Sequence, residues 1–333
     1  MKKQIRRLTV LSIICSILCS CSAKSPVPQS AEGLYFDTVI SIELYGCSPD
    51  EAGVILSECL DMCRHYEDLF DKNKITSDIA IINSSSGRPV HVDHETALLI
   101  ERSLDYCRLT EGRFDITIEP VTSLWDFHGD QNKVPDDTDL EKACELVDYK
   151  NITVNTEDDT VTVSGGSSVD IGGVAKGYIA DRIADKLISL DIPGAIINMG
   201  GDMRLVGNKD DGSSFTIGIN DPFESGAVSA ALLLDDISVA TSGTYERCFT
   251  IDGKKYHHIM DTSTGYPVDT DIESVTVITK SSFDADCLCT AALIYGSRDA
   301  MALIEDTPNT EAVFILRDKT LLMSSGALRY IRQ

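Results

Sequence analysis

Two short constellations carry the residues that could do chemistry. Val169-Asp-Ile-Gly-Gly-Val-Ala-Lys-Gly-Tyr-Ile-Ala-Asp181 joins a β-like run to an amphipathic helix through Gly172, Gly173 and Gly177. Glycines let a backbone approach a ligand closely, and a helix start presents unpaired N–H groups and the positive end of a dipole, the outline of an anion site. Lys176 adds a movable positive charge. Asp170 and Asp181 would not favour an isolated phosphate and point instead to a metal, or to the sugar or base of a nucleotide. The same residues also fit an ordinary strand-to-helix turn with glycines placed for packing. The second constellation is Asp286 and Thr290, in the run Ser282 to Tyr295. On a helix that spacing stacks a carboxylate and a hydroxyl on one face, one turn apart. Such oxygen donors suit Mg2+ or Ca2+ rather than zinc. The alternative is an Asp near a helix start with a Thr bonding back to the carbonyl four residues earlier.

The elements that must hold these residues follow from periodicity. Gly33 to Tyr45 predicts a strand, Asp50 to Phe70 a helix with Asp50 as N-cap behind Pro49, and Thr76 to Asn83 a short apolar turn. His94 to Leu109 is a second amphipathic helix, and Leu140 to Val147 a third. Ile152 to Thr156 and Thr160 to Ser164 form a hairpin that leads into the glycine-rich stretch, whose helix runs to about Leu190. A buried strand after Ala195 breaks at Gly200-Gly201, with Asp202 and Arg204 beyond it. Phe215 to Asn220, Ala230 to Leu234 and Ser274 to Thr279 are further strands. Ala240 to Arg247 reads as a hydroxyl-rich turn, and Tyr256 to Pro267 holds two of the six histidines. Loops of this composition recurring in one chain favour a ligand pocket. Ser297 to Glu305 is the last helix, and strands near Ala312 to Leu316 and Leu321 to Ser325 close the body.

Lys2, Lys3, Arg6 and Arg7 precede an uncharged apolar run, Leu8 to Leu18, too short for a comfortable membrane span. Residues 1–20 therefore read as a secretory signal, and Leu18-Cys-Ser-Cys21 resembles a lipobox in which Cys21 becomes the lipidated N-terminus. A plain cleaved signal is the alternative. Residues 21–32 read as a flexible tether and 33–333 as one folded body. Removing the leader lowers Lys+Arg from 29 to 25 against 53 Asp+Glu, a net charge of −28. So acidic a surface repels nucleic acid and anionic headgroups, so membrane attachment would rest on the lipid, and an anionic ligand would need a locally positive or metal-filled pocket. Three of the eleven cysteines, Cys15, Cys19 and Cys21, lie in the leader or at its cleavage point; the rest include no CxxC pair and fit buried thiols rather than a zinc site.

Six motifs in order resemble the ApbE family of FAD:protein FMN transferases: Thr-Glu-Gly-Arg-Phe-Asp-Ile-Thr from Thr110, Val-Asp-Ile-Gly-Gly-Val-Ala-Lys-Gly-Tyr from Val169, Asn-Met-Gly-Gly-Asp from Asn198, Ala-Thr-Ser-Gly-x-Tyr-Glu-Arg from Ala240, His-His-Ile-Met-Asp-x-x-x-Gly-Tyr-Pro from His257 and Asp-Cys-Leu-Cys-Thr from Asp286. The resemblance covers about residues 33 to 330. It implies an α+β body of mixed sheets and helices, with two intimately packed lobes forming a flavin cleft. It implies FAD as substrate, contacted by Asp170, Lys176, Met260 and the segment Arg113, Phe114 and Asp115, with Phe36 and Phe70 flanking the ring system. A metal, Mg2+ with Ca2+ or Mn2+ as alternatives, would be held by the carbonyl of Gly173 with Asp286 and Thr290. The chain departs from the pattern at Phe36-Asp37, where relatives usually have Met-Gly, at Arg113 in place of a small residue, and at Cys289, where some relatives have a metal-binding Asp.

The implied chemistry is transfer of FMN from FAD to a Ser or Thr hydroxyl of a protein, with AMP leaving. His258 is the expected base or proton shuttle, because an unperturbed pKa of about 6.5 makes both protonation states accessible. A structural histidine bonded to a loop carbonyl is the alternative. The implied acceptor is a subunit of an exported redox complex, and the chain itself would be exported and lipid-anchored at the outer face of the bacterial cell membrane. Two other readings keep the site: an FAD pyrophosphatase, with water as acceptor, and a flavin-binding lipoprotein without chemistry.

Overall fold

The computed structural model describes residues 27–127 and 132–332; the predicted leader and Cys21 lie outside them. β1 (Gln29–Tyr35) and β2 (Thr38–Tyr45) form an antiparallel hairpin where the sequence predicts one strand, and β1 takes Gln29 to Glu32 from the predicted tether. The chain turns at Phe36 and Asp37, with φ of 51° and 56°, the conformation that suits a two-residue hairpin. Asp tolerates that region; a bulky Phe rarely adopts it, so the sequence carries no turn signature there.

α1 (Pro49–Phe70) is capped by Ser48 rather than Asp50, with Pro49 in its first turn. α2 (Asp78–Ser84) replaces the predicted turn, because the Ser77 hydroxyl accepts the Ala80 amide and starts a helix. β3 (Val90–His91) pairs with the β4 (Ile152–Asn155) and β5 (Thr160–Val163) hairpin in the order β3-β5-β4. Between them lie α3 (His94–Leu109), which agrees with the predicted bounds, α4 (Glu119–Thr122) and α5 (Asp137–Cys144). α6 (Ala175–Ser189) follows the glycine-rich stretch. β6 (Gly194–Met199) and β7 (Asp202–Gly207) are a hairpin turned by Gly200-Gly201, and β8 (Phe215–Asn220) pairs with β9 (Val228–Leu234). β10 (Ser238–Gly243) is a strand where a turn was predicted: it lies between β7 and β13 (Ile272–Thr279), and Thr241 and Thr276 share a 2.8 Å hydroxyl contact across the pair. β11 (Cys248–Ile251) and β12 (Lys254–His257) form a separate ribbon. The chain closes with α7 (Ser282–Tyr295), α8 (Ser297–Asp306), β14 (Glu311–Leu316) and β15 (Leu321–Met323).

An eight-stranded antiparallel sheet, β1-β2-β6-β7-β10-β13-β14-β15, organises the whole, giving the predicted α+β class. α1, α3 and α6 cover the β2–β6 half, while α7 and α8 cover β10, β13 and β14 on the same side. The β8–β9 hairpin packs on the opposite face. The two predicted lobes are thus two halves of one sheet, and they meet where α6 crosses α7. Tyr178 on α6 and Phe283 on α7 are almost fully buried there, with ring centroids 6.3 Å apart. Burying side chains of this size contributes about 1.5–3 kcal/mol each. Among the described residues no helix is long and apolar enough to cross a membrane.

Candidate functional site

The crossing of α6 and α7 sets the site. A Cβ on Gly177 would stand 2.4 Å from the Ser282 carbonyl oxygen, so only glycine lets the two backbones come this close. One turn on, Asp181 takes the amides of Ser282 (2.8 Å) and Phe283 (3.1 Å) and the Ser281 hydroxyl (2.7 Å). Asp181 therefore caps the start of α7 from another helix, and its carboxylate is spent there rather than on a ligand.

This docking brings Lys176 to Asp286. The ammonium of Lys176 lies 3.5 Å from Oδ2 of Asp286 and 3.1 Å from Oδ2 of Asp202, and the Gly177 amide donates to the same Asp286 oxygen at 3.2 Å. The Thr241 amide donates to Oδ1 of Asp202 at 3.2 Å, so β10 and the β6–β7 turn also support the cluster. The carboxylates are 4 % and 6 % exposed, the lysine 21 %. Burial works against the charge on Lys176, but Asp286 and Asp202 outweigh it and hold the ammonium protonated. Burial first, and then Asp202, push Asp286 upward against the pull of Lys176. Two buried carboxylates sharing one ammonium leave negative charge uncompensated at this point.

The predicted oxygen set lies beside that charge. A Cβ built on Gly173 would be 3.9 Å from the Thr290 hydroxyl, so the exposed Gly173 backbone and Thr290 adjoin. Thr290 does bond back to the Asp286 carbonyl, at 3.3 Å, as the bland alternative predicts, but donating that proton leaves its lone pairs available. Both side-chain hydrogen bonds of Asp286 go to Oδ2, and Oδ1 takes part in neither. Among the described residues no three His, Cys, Asp or Glu side chains gather as a metal shell. The donors present are instead a carbonyl, a hydroxyl and one carboxylate, which fit a hard divalent cation. The N-cap residue of α6, Val174, supplies no side-chain cap, but the Ala175 amide donates to the Ile171 carbonyl and the Gly177 amide to Asp286, so most of the first turn is already bonded within the protein.

The remaining predicted residues divide. Asp170 lies on the approach to α6, where burial would raise its pKa, but Lys72, the Gly172 amide and Thr122 keep it below the usual carboxylate range. Nδ1 of His258 is buried without a hydrogen-bond partner. Burial and the Arg247 charge lower its pKa to about 3, so the ring is neutral at ordinary pH and the expected access to both protonation states is corrected. Arg113 is exposed, its guanidinium 5.0 Å from the Tyr295 ring centroid. Phe36 is half-buried against the main core, and its amide donates to Glu67 at 2.8 Å.

Four predicted contacts have side chains turned inward. Phe70 is 3 % exposed and stacks on Tyr66, leaving no face for a flavin ring. Phe114 belongs to the same core. Asp115 accepts the Thr117 amide and hydroxyl and the Tyr149 amide, so its carboxylate organises its own loop. Met260 is packed among Trp125 and Tyr256 and pairs with Pro267. Thr262 donates to the Gly112 carbonyl at 3.1 Å and Trp125 to the Gly265 carbonyl at 2.9 Å, tying the two motif loops together. Cys289 points at the carbonyls of Ala240 and Val275 inside the core, and all eight described cysteines are free thiols. A cavity of about 500 Å³ beside β12, lined by Lys254, Tyr256, Tyr266 and Arg317 among others, contains none of the predicted site residues.

The ApbE family model matches residues 36–314. The chain belongs to the ApbE family. It is 31 % identical to the FAD:protein FMN transferase of Treponema pallidum, over 97 % of this chain and 95 % of that one, and 34 % identical to that of Klebsiella pneumoniae, over 86 % and 88 %. The crystal structure of the ApbE protein from Thermotoga maritima superposes with a TM-score of 0.84 at 30 % identity, covering 92 % of this chain and all of that one. The apo flavinyl transferase ApbE of Pseudomonas stutzeri gives 0.80 at 25 % identity, covering 90 % and 95 %.

Within this ApbE chain, several residues around the site had no role read from the sequence. Lys72, Thr122 and Glu119 surround Asp170. Glu246 and Arg247, both exposed, stand within electrostatic reach of Lys176. Asp202 was visible as an acid after a glycine pair and as the last residue of the motif from Asn198, without a role.

Proposed function

We propose that this ApbE protein transfers the FMN portion of FAD to a Ser or Thr hydroxyl of an exported acceptor protein, forming a phosphoester and releasing AMP. The identity to named FAD:protein FMN transferases across nearly the whole chain supports flavin transfer as the reaction. The observation that carries the finer reading is the Lys176, Asp202 and Asp286 cluster beside Gly173 and Thr290, at the start of α6. A diphosphate in a protein of net charge −24 needs local positive charge, which a cation held beside this carboxylate-rich cluster would supply together with Lys176.

Gly173, Asp286 and Thr290 would hold a divalent cation, which when bound neutralises charge on the diphosphate. Lys176 supplies a fixed positive charge near the same point, and Asp202 keeps it protonated and oriented. The acceptor hydroxyl attacks the FMN-side phosphorus as the phosphorus–oxygen bond to AMP breaks. Neutral His258, its Nδ1 without a partner, would accept a hydrogen bond from the hydroxyl, whose proton leaves with AMP or to solvent. Positioning and charge supply most of the acceleration. The leader sequence supports export and anchoring through a lipid on Cys21, with an exported redox subunit as acceptor.

Incubation with FAD and Mg2+, with and without acceptor, separates the readings. Transfer gives AMP together with protein-bound flavin fluorescence. AMP without bound flavin would make the chain a pyrophosphatase, and neither product would make it a flavin-binding protein. Replacing Cys21 by Ser should release the protein from the membrane fraction; retention there would end the lipid-anchor proposal.

A further inference from the structure

Lys72, in the loop after α1, has no part in the chemistry above, yet its ammonium makes the shortest contact to Asp170. Nζ lies 2.7 Å from Oδ2 of Asp170, 3.4 Å from the Thr122 hydroxyl and 3.9 Å from Oε1 of Glu119. Thr122 donates to Oδ2 of Asp170 at 3.1 Å, and the Gly172 amide donates to Oδ1 at 2.9 Å. Three separate segments therefore converge on one carboxylate: the loop after α1, α4, and the glycine-rich stretch. A carboxylate offers about four acceptor positions, and three are taken, which leaves one on Oδ1.

We propose that Lys72 is a positioning residue for substrate binding: it fixes Asp170, ionised and in one rotamer, so that its last lone pair reads an uncharged hydrogen-bond donor, a hydroxyl or amino group, on the nucleoside part of the dinucleotide. The proposal rests on the FAD reading given above. The paired charges cancel, so this end of the stretch does not attract phosphate. Asp170 and Lys72 are partly exposed (21 % and 27 %), and an ion pair of that exposure adds little to folding. Loss of Lys72 would leave the fold in place and free the Asp170 carboxylate to rotate, and the cost falls on substrate affinity.

The test uses the full chain with FAD and Mg2+, following AMP release, together with Lys72→Met, Lys72→Arg, Asp170→Asn and the Lys72→Met/Asp170→Asn pair. Lys72→Met should raise KM for FAD about tenfold, with kcat within twofold and an unchanged thermal midpoint. Lys72→Arg should recover most of the loss, and the double variant should be no worse than the poorer single one, because both act on the same contact. An unchanged KM in Lys72→Met, a fall in kcat matching the rise in KM, or additive effects in the pair would each overturn the role of Lys72 while leaving FAD transfer standing. If the parent protein neither binds FAD nor releases AMP, the transfer reading fails, and this proposal with it.

Discussion

The Gly177 amide donates to Oδ2 of Asp286 at 3.2 Å, so the backbone of α6 holds a side chain of α7 in the site. That bond requires the helices to cross at the distance glycine allows. Gly177→Ala would put a methyl group 2.4 Å from the Ser282 carbonyl oxygen and push the helices apart. The expected cost is about 1–3 kcal/mol of stability, as for other overpacked contacts, together with a loss of transfer activity. Urea unfolding and an AMP-release assay measure the two; a variant with parental values in both would show that the crossing is not tight.

Asp286 is the one carboxylate in the predicted cation set. Asp286→Ala should lower AMP release at least about 100-fold at fixed Mg2+, since even residues that only support a metal ligand cost 10–100-fold. EDTA should abolish the parent activity and added Mg2+ restore it. Full activity in either the variant or the chelated parent would refute the cation assignment.

His257 is 2 % exposed, and burial, helped by Lys255, lowers its pKa to about 4. The unfolded chain binds a proton there below about pH 6.5, whereas the folded chain stays neutral down to about pH 4. Stability contributed by the neutral ring is therefore complete above pH 6.5 and declines as the pH falls towards 4, by up to about 1.4 kcal/mol per pH unit. Denaturation midpoints of the parent and His257→Gln across that range should converge as the medium is acidified. Parallel curves would mean that His257 titrates alike in both states.

Asp181 serves as a helix cap supplied from outside the helix. Asp181→Ala leaves two amides and a hydroxyl at the start of α7 without their acceptor and should cost about 1–2 kcal/mol. KM for FAD should stay near the parent value, because this carboxylate has no free acceptor role in the cleft. A large rise in KM with no loss of stability would restore Asp181 to the ligand site.

What could be read in advance was local. Asp286 and Thr290 announce themselves by helical spacing, and the glycines before Lys176 by their density, so the position of the site was legible from two segments. Which acids act on a ligand was not. Asp181 finds its partners 100 residues away and Asp170 finds Lys72 at a separation of 98, distances at which no periodic pattern operates. The inward turn of Phe70, Phe114, Asp115 and Met260 was hidden for a related reason: motif membership fixes the path of the backbone without fixing which way a side chain faces. Phe36 conceals its hairpin because the turn rules expect Asn or Gly at positive φ.

Trp125 is the only tryptophan in the chain, and its indole N–H is anchored to the Gly265 carbonyl with Phe127, Tyr256 and Tyr266 around it at centroid distances of 5.6, 5.7 and 5.8 Å. The tryptophan emission of this protein thus comes from one reporter, bolted to the loop that carries His258. A flavin absorbs where tryptophan emits, so docking of FAD would dim that light, and occupancy could be timed optically in the unlabelled protein.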